Sequence, residues 1–250
     1  MSIAYQSILP TPIFNTHLIP FIQNELNNYY DKCNLLRQIE TIAFPGTVFE
    51  KVKDLSSHLM EVTTTSYLSA APLYIDKRFV REVRAPYVIS SPQLPSSQEL
   101  LTQVLKRQGT RYFWGGNVSQ GIPEMIALYP ESPVHEHDLL CKGVDCSGLL
   151  YEAAQGLTPR NTRDLIHYGA QILQDPSSLL EVQRALKPLD LIVWNGHVLI
   201  ALNPYELIES REGRGVVISP LEERLFEIRT HLQQKKIPFF IRRWHPDFLS

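Results

Sequence analysis

Five short apolar segments follow one another towards the end of the chain and limit the folds it can adopt. Turn residues separate them, and their residue pattern is strand-like. The segments are LDLIVW (189–194), HVLIAL (197–202), YELIES (205–210), GVVIS (215–219) and PFFIRRW (238–244). Helical patterns precede them, at 98–109, from Cys146 to about Gln155, and from Asn161 or Thr162 to about Gln171. Helices followed by an antiparallel meander predict an α+β fold.

The first 90 residues are predicted to form a separate N-terminal domain. Residues 17–40 have a helical period, whereas 41–90 contain short β-rich runs divided by turn residues, a pattern typical of a small barrel. The Ser/Pro-rich run at 90–99 indicates a linker. We therefore predict a helix and small β-barrel over 1–90 and an α+β domain over 97–250. Within the second domain, 117–142 is predicted to be a long loop.

Composition and charge exclude several classes of function. The 24 basic and 26 acidic residues leave a net charge of −2, which does not favour a nucleic-acid partner. No stretch approaches the ~18 apolar residues of a membrane span, and the N-terminus lacks the basic start and unbroken apolar run of a signal peptide. Three cysteines at no framework spacing argue against a disulfide scaffold. We therefore expect a reduced, cytoplasmic protein.

The segment GVDCSGLLYEAAQG (143–156) places a cysteine at the start of a predicted helix. Asp145 suits the N-cap, so Cys146 takes the first helical position, where free amides and the helix dipole favour an anion. A thiol in such a position has a lowered pKa, and its thiolate is a nucleophile. The alternative interpretation is a small apolar residue that merely begins a helix.

A nucleophilic thiolate needs a base, and the base needs an orienting group. His197 begins an apolar strand and is the candidate base; the alternative is a surface histidine at a strand edge. The following hairpin offers two orienting residues. A two-residue loop at 203–204 brings Ser210 opposite His197, whereas a three-residue loop at 203–205 puts Glu209 on the face of His197, one pair away. We favour Glu209, because a carboxylate stabilises an imidazolium.

Several short motifs, in this order, resemble the NlpC-type cell-wall peptidases, which are papain-like cysteine hydrolases of bacteria. The motifs are RYFWGG (111–116), DCSGLL (145–150), PRNT (159–162), LKPLDLIVW (186–194) and GHV (196–198), and the likeness covers about residues 97 to 210. The β-rich region before them is similar to bacterial Src-homology-3-type barrels. The resemblance implies a papain-like catalytic domain preceded by a small β-barrel. It also implies hydrolysis of peptidoglycan peptides between D-γ-glutamate and a diamino acid, usually diaminopimelate, without a cofactor.

The resemblance also implies roles for individual residues. Cys146 would be the nucleophile and His197 the base. Relatives commonly carry a histidine twelve positions after the base, where this chain has Glu209. Asp145 and Ser147 match positions that hold the free L-alanine amine and the glutamyl group of the substrate.

Further positions match the walls of the substrate pocket. Trp114 of RYFWGG and Thr162 of PRNT are two of them. A tyrosine of the barrel completes the pocket in relatives, and Tyr67 or Tyr74 would supply it here. The expected partner is therefore a muropeptide.

Three other functions remain open from the sequence. HEHDLLCKGVDC (135–146) contains His135, His137, Cys141 and Cys146, but it lacks the paired spacing of a zinc site, so no metal is predicted. A thiol acyltransferase or a different amidase would use the same nucleophile with another substrate. A catalytically inactive module that only binds muropeptides is the alternative from another class.

Overall fold

A computed structural model describes residues 3–22, 29–84 and 92–249 and divides the chain into two compact units. The first unit is Met1–Pro92 with Phe113–Gly143, and the second is Gln93–Tyr112 with Val144–Ser250. These units differ from the predicted domains in the segment 113–143, which joins the N-terminal unit. None of the helices within the described ranges is long and apolar enough to cross a membrane.

The described residues contain fifteen strands and seven α-helices. The strands are β1 (Ile3–Ser7), β2 (Thr11–Phe14), β3 (Ile39–Ala43), β4 (Val48–Asp54), β5 (Leu59–Thr63), β6 (Leu73–Asp76), β7 (Val80–Arg84), β8 (Asn117–Val118), β9 (Gly143–Val144), β10 (Ala170–Gln174), β11 (Leu191–Trp194), β12 (His197–Ala201), β13 (Glu206–Arg211), β14 (Gly215–Pro220) and β15 (Phe240–Arg243). The helices are α1 (Ser97–Leu105), α2 (Glu124–Leu128), α3 (Glu136–Leu139), α4 (Cys146–Ala153), α5 (Thr162–Leu165), α6 (Leu179–Ala185) and α7 (Leu221–Lys235). Two 3₁₀ turns lie at Lys77–Phe79 and Pro246–Phe248.

The first unit is built on one antiparallel sheet of seven strands in the order β3-β2-β6-β5-β4-β1-β7. The β-rich runs predicted over 41–90 correspond to β3 to β7 in the described residues. Identification of this sheet with a Src-homology-3-type barrel stays a prediction. The predicted loop at 117–142 is wrong in part, because it contains β8, α2 and α3.

The helix predicted over 17–40 is also wrong in the described residues. Bends and turns occupy 17–22 and 29–38, and a strand begins at Ile39; residues 23–28 lie outside the described residues. The Asp31 carboxylate accepts hydrogen bonds from the amides of Cys33 and Leu35, at 2.8 and 3.0 Å. Such local side-chain bonds compete with helix formation. The apolar residues in this region therefore act as single anchors in the core, as Phe21 and Leu36 do.

The second unit has a mixed α/β architecture around a six-stranded antiparallel sheet, in the order β10-β15-β11-β12-β13-β14. Alternate residues of each strand enter two different cores. In β11, Val193 packs with α1 and α4, whereas Ile192 packs with α6 and α7. Because both faces of β11 are covered, this strand is apolar and buried at every position, and its neighbours are rich in apolar residues. This explains why five strands of the sheet could be recognised in the sequence.

The start of α1 lies close to the predicted helical pattern, whereas the end of α5 does not. Ser96 caps α1 through a capping box with Glu99, and the helix begins at Ser97, one residue before the predicted helical pattern. The helix predicted from Asn161 or Thr162 to Gln171 ends much earlier, at Leu165, and β10 follows. Gly169 separates the two elements with a φ of +73°, and a Cβ there would meet the Arg243 carbonyl oxygen at 2.3 Å. This close backbone approach allows β10 to pair with β15.

Ser210 connects β13 to the segment that precedes α4. Its hydroxyl donates to the Val144 carbonyl oxygen at 2.6 Å, and the residue is fully buried. Replacement by alanine leaves the buried carbonyl without this donor, which costs about 1–3 kcal/mol. We expect Ser210→Ala to lower the free energy of unfolding in urea by this amount. Ser219→Ala, a half-buried serine in the adjacent β14, is the control; equal small losses from both would contradict the anchoring role.

Candidate active site

Cys146 is the first residue of α4, as predicted. Asp145 is the N-cap, and its Oδ1 accepts a hydrogen bond from the Gly148 amide at 2.6 Å. The helix is held in position by Leu149, Leu150 and Ala153, which are buried in the core beneath the sheet. Cys146 is 9% exposed, so it lies just below the surface at the positive end of the helix.

His197 lies at the first position of β12, after a tight turn. Trp194 and His197 pair across the turn Asn195-Gly196, and Gly196 has a φ of +120° that a side chain would disfavour. The Gly196 amide donates to the Thr162 hydroxyl at 3.0 Å, so Thr162 fixes the turn that leads to His197. The imidazole is hydrogen-bonded to Glu209, and Cys146 is close enough to raise its pKa.

The hairpin between β12 and β13 has the predicted three-residue loop. Ile200 pairs with Ile208 and Ala201 with Leu207, so Glu209 lies one pair from His197 on the same face. The His197 Nε2 and Glu209 Oε2 are 2.6 Å apart. The predicted proximity of Glu209 to His197 is therefore confirmed, while its catalytic role stays a prediction. Ser210 points to the opposite face, towards Val144.

The charges of these residues are coupled. Burial of His197 opposes its protonation, but interactions with Cys146 and then with Glu209 outweigh burial and raise its pKa to about 9. Burial of Glu209 likewise opposes its ionisation, yet hydrogen bonds from His197 and Arg224 lower its pKa to about 2. At neutral pH the site thus holds an imidazolium against a carboxylate. Because Nε2 is used by Glu209, Nδ1 is the nitrogen left for the thiol.

Arg224 of α7 is a site residue that the sequence analysis missed. Its Nε donates to Glu209 Oε1 at 2.5 Å and its Nη2 to Oε2 at 2.9 Å. The signal that could have found it is the period Leu221, Leu225, Ile228 and Leu232, which predicts a helix with Arg224 beside its buried stripe.

Arg160 is a second residue that the sequence analysis missed, although it lies within PRNT. Its two terminal nitrogens donate to the two oxygens of Asp145 at 3.0 and 2.7 Å, and Nη1 also donates to the Ser147 hydroxyl at 2.8 Å. Asp145, Ser147 and Arg160 are all buried. The Asp145 carboxylate is therefore neutralised within the protein and does not depend on a substrate amine for its counterion.

The remaining predicted pocket residues belong to the first unit. Trp114 is 37% exposed, and the Arg37 guanidinium lies 3.9 Å from the centre of its ring. Tyr67 is buried, and its hydroxyl donates to Glu40 at 2.5 Å. Tyr74 is partly buried in the strand β6. The substrate-binding roles of Trp114 and Tyr67 stay predictions.

The alternative metal site is not supported in the part of the chain that the structure describes. No group of three or more His, Cys, Asp or Glu side chains there is arranged to hold a metal ion. Cys141 is buried in the apolar core of the first unit, and burial together with Asp138 raises the pKa of its thiol. Such a thiol is unreactive at neutral pH.

Comparison with known proteins gives similarity at the level of structure only. No family model and no curated protein matches the chain. Among solved structures, an NlpC/P60 family protein from Bacillus cereus is 17% identical, with a TM-score of 0.42, over 98% of this chain and 64% of that one. NlpC1 from Trichomonas vaginalis is 13% identical, with a TM-score of 0.38, over 98% of this chain and 69% of the other.

A third similar structure is RipD from Mycobacterium tuberculosis, described as a non-catalytic NlpC/p60 domain protein with adaptation to a peptidoglycan-binding function. It is 20% identical, with a TM-score of 0.35, and the match covers 52% of this chain and 90% of RipD. At these identities and scores, none of the three assigns an activity to this chain.

The pKa of Glu209 predicts a pH-dependent stability. Its folded value of about 2 lies below the ordinary 4.5, so its contribution is complete above pH 4.5 and is lost as pH falls through about 2. Glu209→Gln breaks a buried ion pair, which costs about 3 kcal/mol at pH 7. We expect the difference from the wild type in urea unfolding to shrink as pH approaches 2. A difference that is the same at pH 7 and pH 2.5 would show that the carboxylate is not ionised in the folded protein.

Proposed function

We propose that this protein is a cysteine hydrolase that cleaves peptidoglycan-derived peptides at the bond between D-γ-glutamate and a diamino acid. The observation that carries the proposal is the arrangement of Cys146, His197 and Glu209. A thiol at a helix start, an imidazole whose charge responds to that thiol and a buried carboxylate bonded to the imidazole are the parts of a nucleophilic triad. The choice of substrate rests on the resemblance of the DCSGLL and GHV motifs to NlpC-type peptidases.

The proposed reaction begins with attack of the Cys146 thiolate on the carbonyl carbon of the γ-glutamyl amide. A carbon–sulfur bond forms, and the carbonyl electrons move to oxygen, where the Cys146 amide at the start of α4 is a suitable donor. His197, protonated at Nδ1, gives this proton to the amine as the carbon–nitrogen bond breaks. The product is a thioester and the free diamino acid end.

The second half of the proposed reaction uses neutral His197 as a base. The imidazole takes a proton from water at Nδ1 as the water oxygen attacks the thioester carbon. The carbon–sulfur bond then breaks, which releases the glutamyl carboxylic acid and restores the thiolate beside an imidazolium; the acid then loses its proton to solvent. Glu209 stabilises each imidazolium through Nε2, so its ionised form is needed in both halves.

We propose that Asp145, Ser147 and Thr162 of the second unit contribute to the substrate site beside Cys146. The buried Arg160 changes the expected role of Asp145. A blocked substrate amine does not leave this carboxylate without a counterion. Any preference for a free L-alanine amine therefore depends on hydrogen bonding rather than on rescue of an unpaired charge.

The nucleophile is tested with a tripeptide of L-alanine, D-γ-glutamate and diaminopimelate, with products followed by mass spectrometry. We expect Cys146→Ala to abolish hydrolysis while the thermal unfolding temperature stays close to that of the wild type, because alanine fits a first helical position. Cys33→Ser, which changes an exposed cysteine, is the matched control and should keep full turnover.

Three outcomes would contradict this proposal. Tight binding of the peptide with no cleavage by the wild type would indicate a binding module. Cleavage that survives in Cys146→Ala would assign the reaction to another nucleophile. Product in which an added amine replaces water would instead identify an acyltransferase.

A separate prediction concerns the orienting carboxylate. Glu209→Gln presents either an amide oxygen or a less suitable donor to His197, and related triads lose up to about 10⁴-fold in kcat from such a change. We expect a large loss in kcat with little change in KM. Glu206→Gln, an exposed glutamate of the same strand, is the control. Full turnover by Glu209→Gln would remove Glu209 from the mechanism.

A further inference from the structure

Glu209, the candidate orienting residue, is completely enclosed by other side chains. Its side chain has no exposed surface, and both carboxylate oxygens are bound. Oε2 is bonded to His197 from β12, and Arg224 from α7 donates to both oxygens. A buried carboxylate with two oxygens and two cationic partners has its plane and its rotamer determined by them.

Arg224 is itself held on its far side. Its Nη1 donates to Glu227 Oε2 at 2.8 Å, and the Arg211 Nη2 donates to the same oxygen at 3.1 Å. The Arg224 side chain is 10% exposed, whereas Glu227 is 47% exposed. The network thus runs from solvent through Glu227 and Arg224 to the buried Glu209. These are the charged groups that the structure records around Glu209 from the elements packed against it.

We propose that Arg224 is a positioning residue, which aims the Glu209 carboxylate at His197 and keeps it available as the partner of the imidazolium. This role rests on the proposed function of Cys146 and His197. Arg224 fits the role because its planar fork matches both carboxylate oxygens, whereas a lysine would supply only a point charge. Without the guanidinium, burial would favour the neutral acid, which can donate a proton to Nε2 instead of accepting one.

The structural basis for a separate test is that, among the described residues, Arg224 is connected to His197 through Glu209. Arg224→Met should therefore lower activity relative to the wild type. The same substitution should have no further effect in the Glu209→Gln background. We expect Arg224→Met to lower kcat on the tripeptide about 10- to 100-fold, the order of loss for misplaced catalytic groups, with KM nearly unchanged. The loss of kcat should be greater at pH 5 than at pH 8, because Glu209 protonates more readily in a variant that lacks the guanidinium.

Matched variants separate positioning from folding. Arg224→Lys should recover part of the activity, since it retains the charge but not the fork. Arg229→Met changes an arginine of the same helix whose recorded bond is to the Pro176 carbonyl, and it should leave kcat unchanged. Thermal unfolding identifies variants that fail to fold. If Arg224→Met is unstable, the double variant Glu209→Gln/Arg224→Met, which buries no unpaired charge, supplies the comparison with Glu209→Gln alone.

Alkylation of Cys146 by iodoacetamide tests Arg224 without any substrate. At pH 6, Arg224→Met should slow alkylation about 10-fold, because a weaker imidazolium supports less thiolate, and the rates should converge near pH 10. Peptide mapping distinguishes Cys146 from the exposed Cys33.

The results distinguish this inference from the proposed function. If the wild type cleaves no peptide but Arg224→Met still slows alkylation of Cys146, the proposed function is rejected and the role of Arg224 is kept. A wild type that cleaves the tripeptide, with Arg224→Met equal to it in kcat, pH profile and alkylation, would reject Arg224 alone. A loss of the same size at every pH, or one that persists in full in the Glu209→Gln background, would also overturn the inference.

Discussion

The candidate site depends on one carboxylate that has no access to water. Glu209 is buried between the imidazole of His197 and the guanidinium of Arg224, and its ionised form exists only because both are there. The free-energy cost of burying one charge is thus offset by two opposite charges. The same arrangement raises the pKa of His197 and keeps it protonated beside Cys146.

The sheet of the second unit brings these groups together from two sides. The apolar residues of α4 pack on one face and those of α7 on the other. Glu209 alternates with Ile208 and lies towards α7, whereas His197 occupies the first position of β12, where the turn at Gly196 leads into the strand. His197 can therefore bond both to the cysteine at the start of α4 and to the carboxylate on the α7 side.

Asp145 illustrates how one residue can serve structure and site together. It caps α4 through the Gly148 amide and forms a forked ion pair with Arg160. The cap fixes the first turn of the helix, and hence the position of the Cys146 thiol. The ion pair fixes Ser147 as well, through its hydroxyl. This polar cluster is complete within the protein, so its carboxylate is set in place before any ligand binds.

The sequence by itself determined five of the six strands of the second unit's sheet and the helix start at Cys146, and it limited the hairpin to two loop lengths, of which the three-residue loop puts Glu209 near His197. Each is encoded locally, by apolar alternation, by a capping aspartate and by the spacing of a hairpin. Only the tertiary structure decided the partners that come from distant segments. Arg160 and Arg224 reach their carboxylates from 15 residues away in sequence; a helical period places Arg224 beside a buried stripe, but only the packing shows which carboxylate it meets. The apparent helix over 17–40 fails for the same reason: its described residues satisfy their hydrogen bonds through Asp31 and a sheet, and these interactions outweigh a weak helical period.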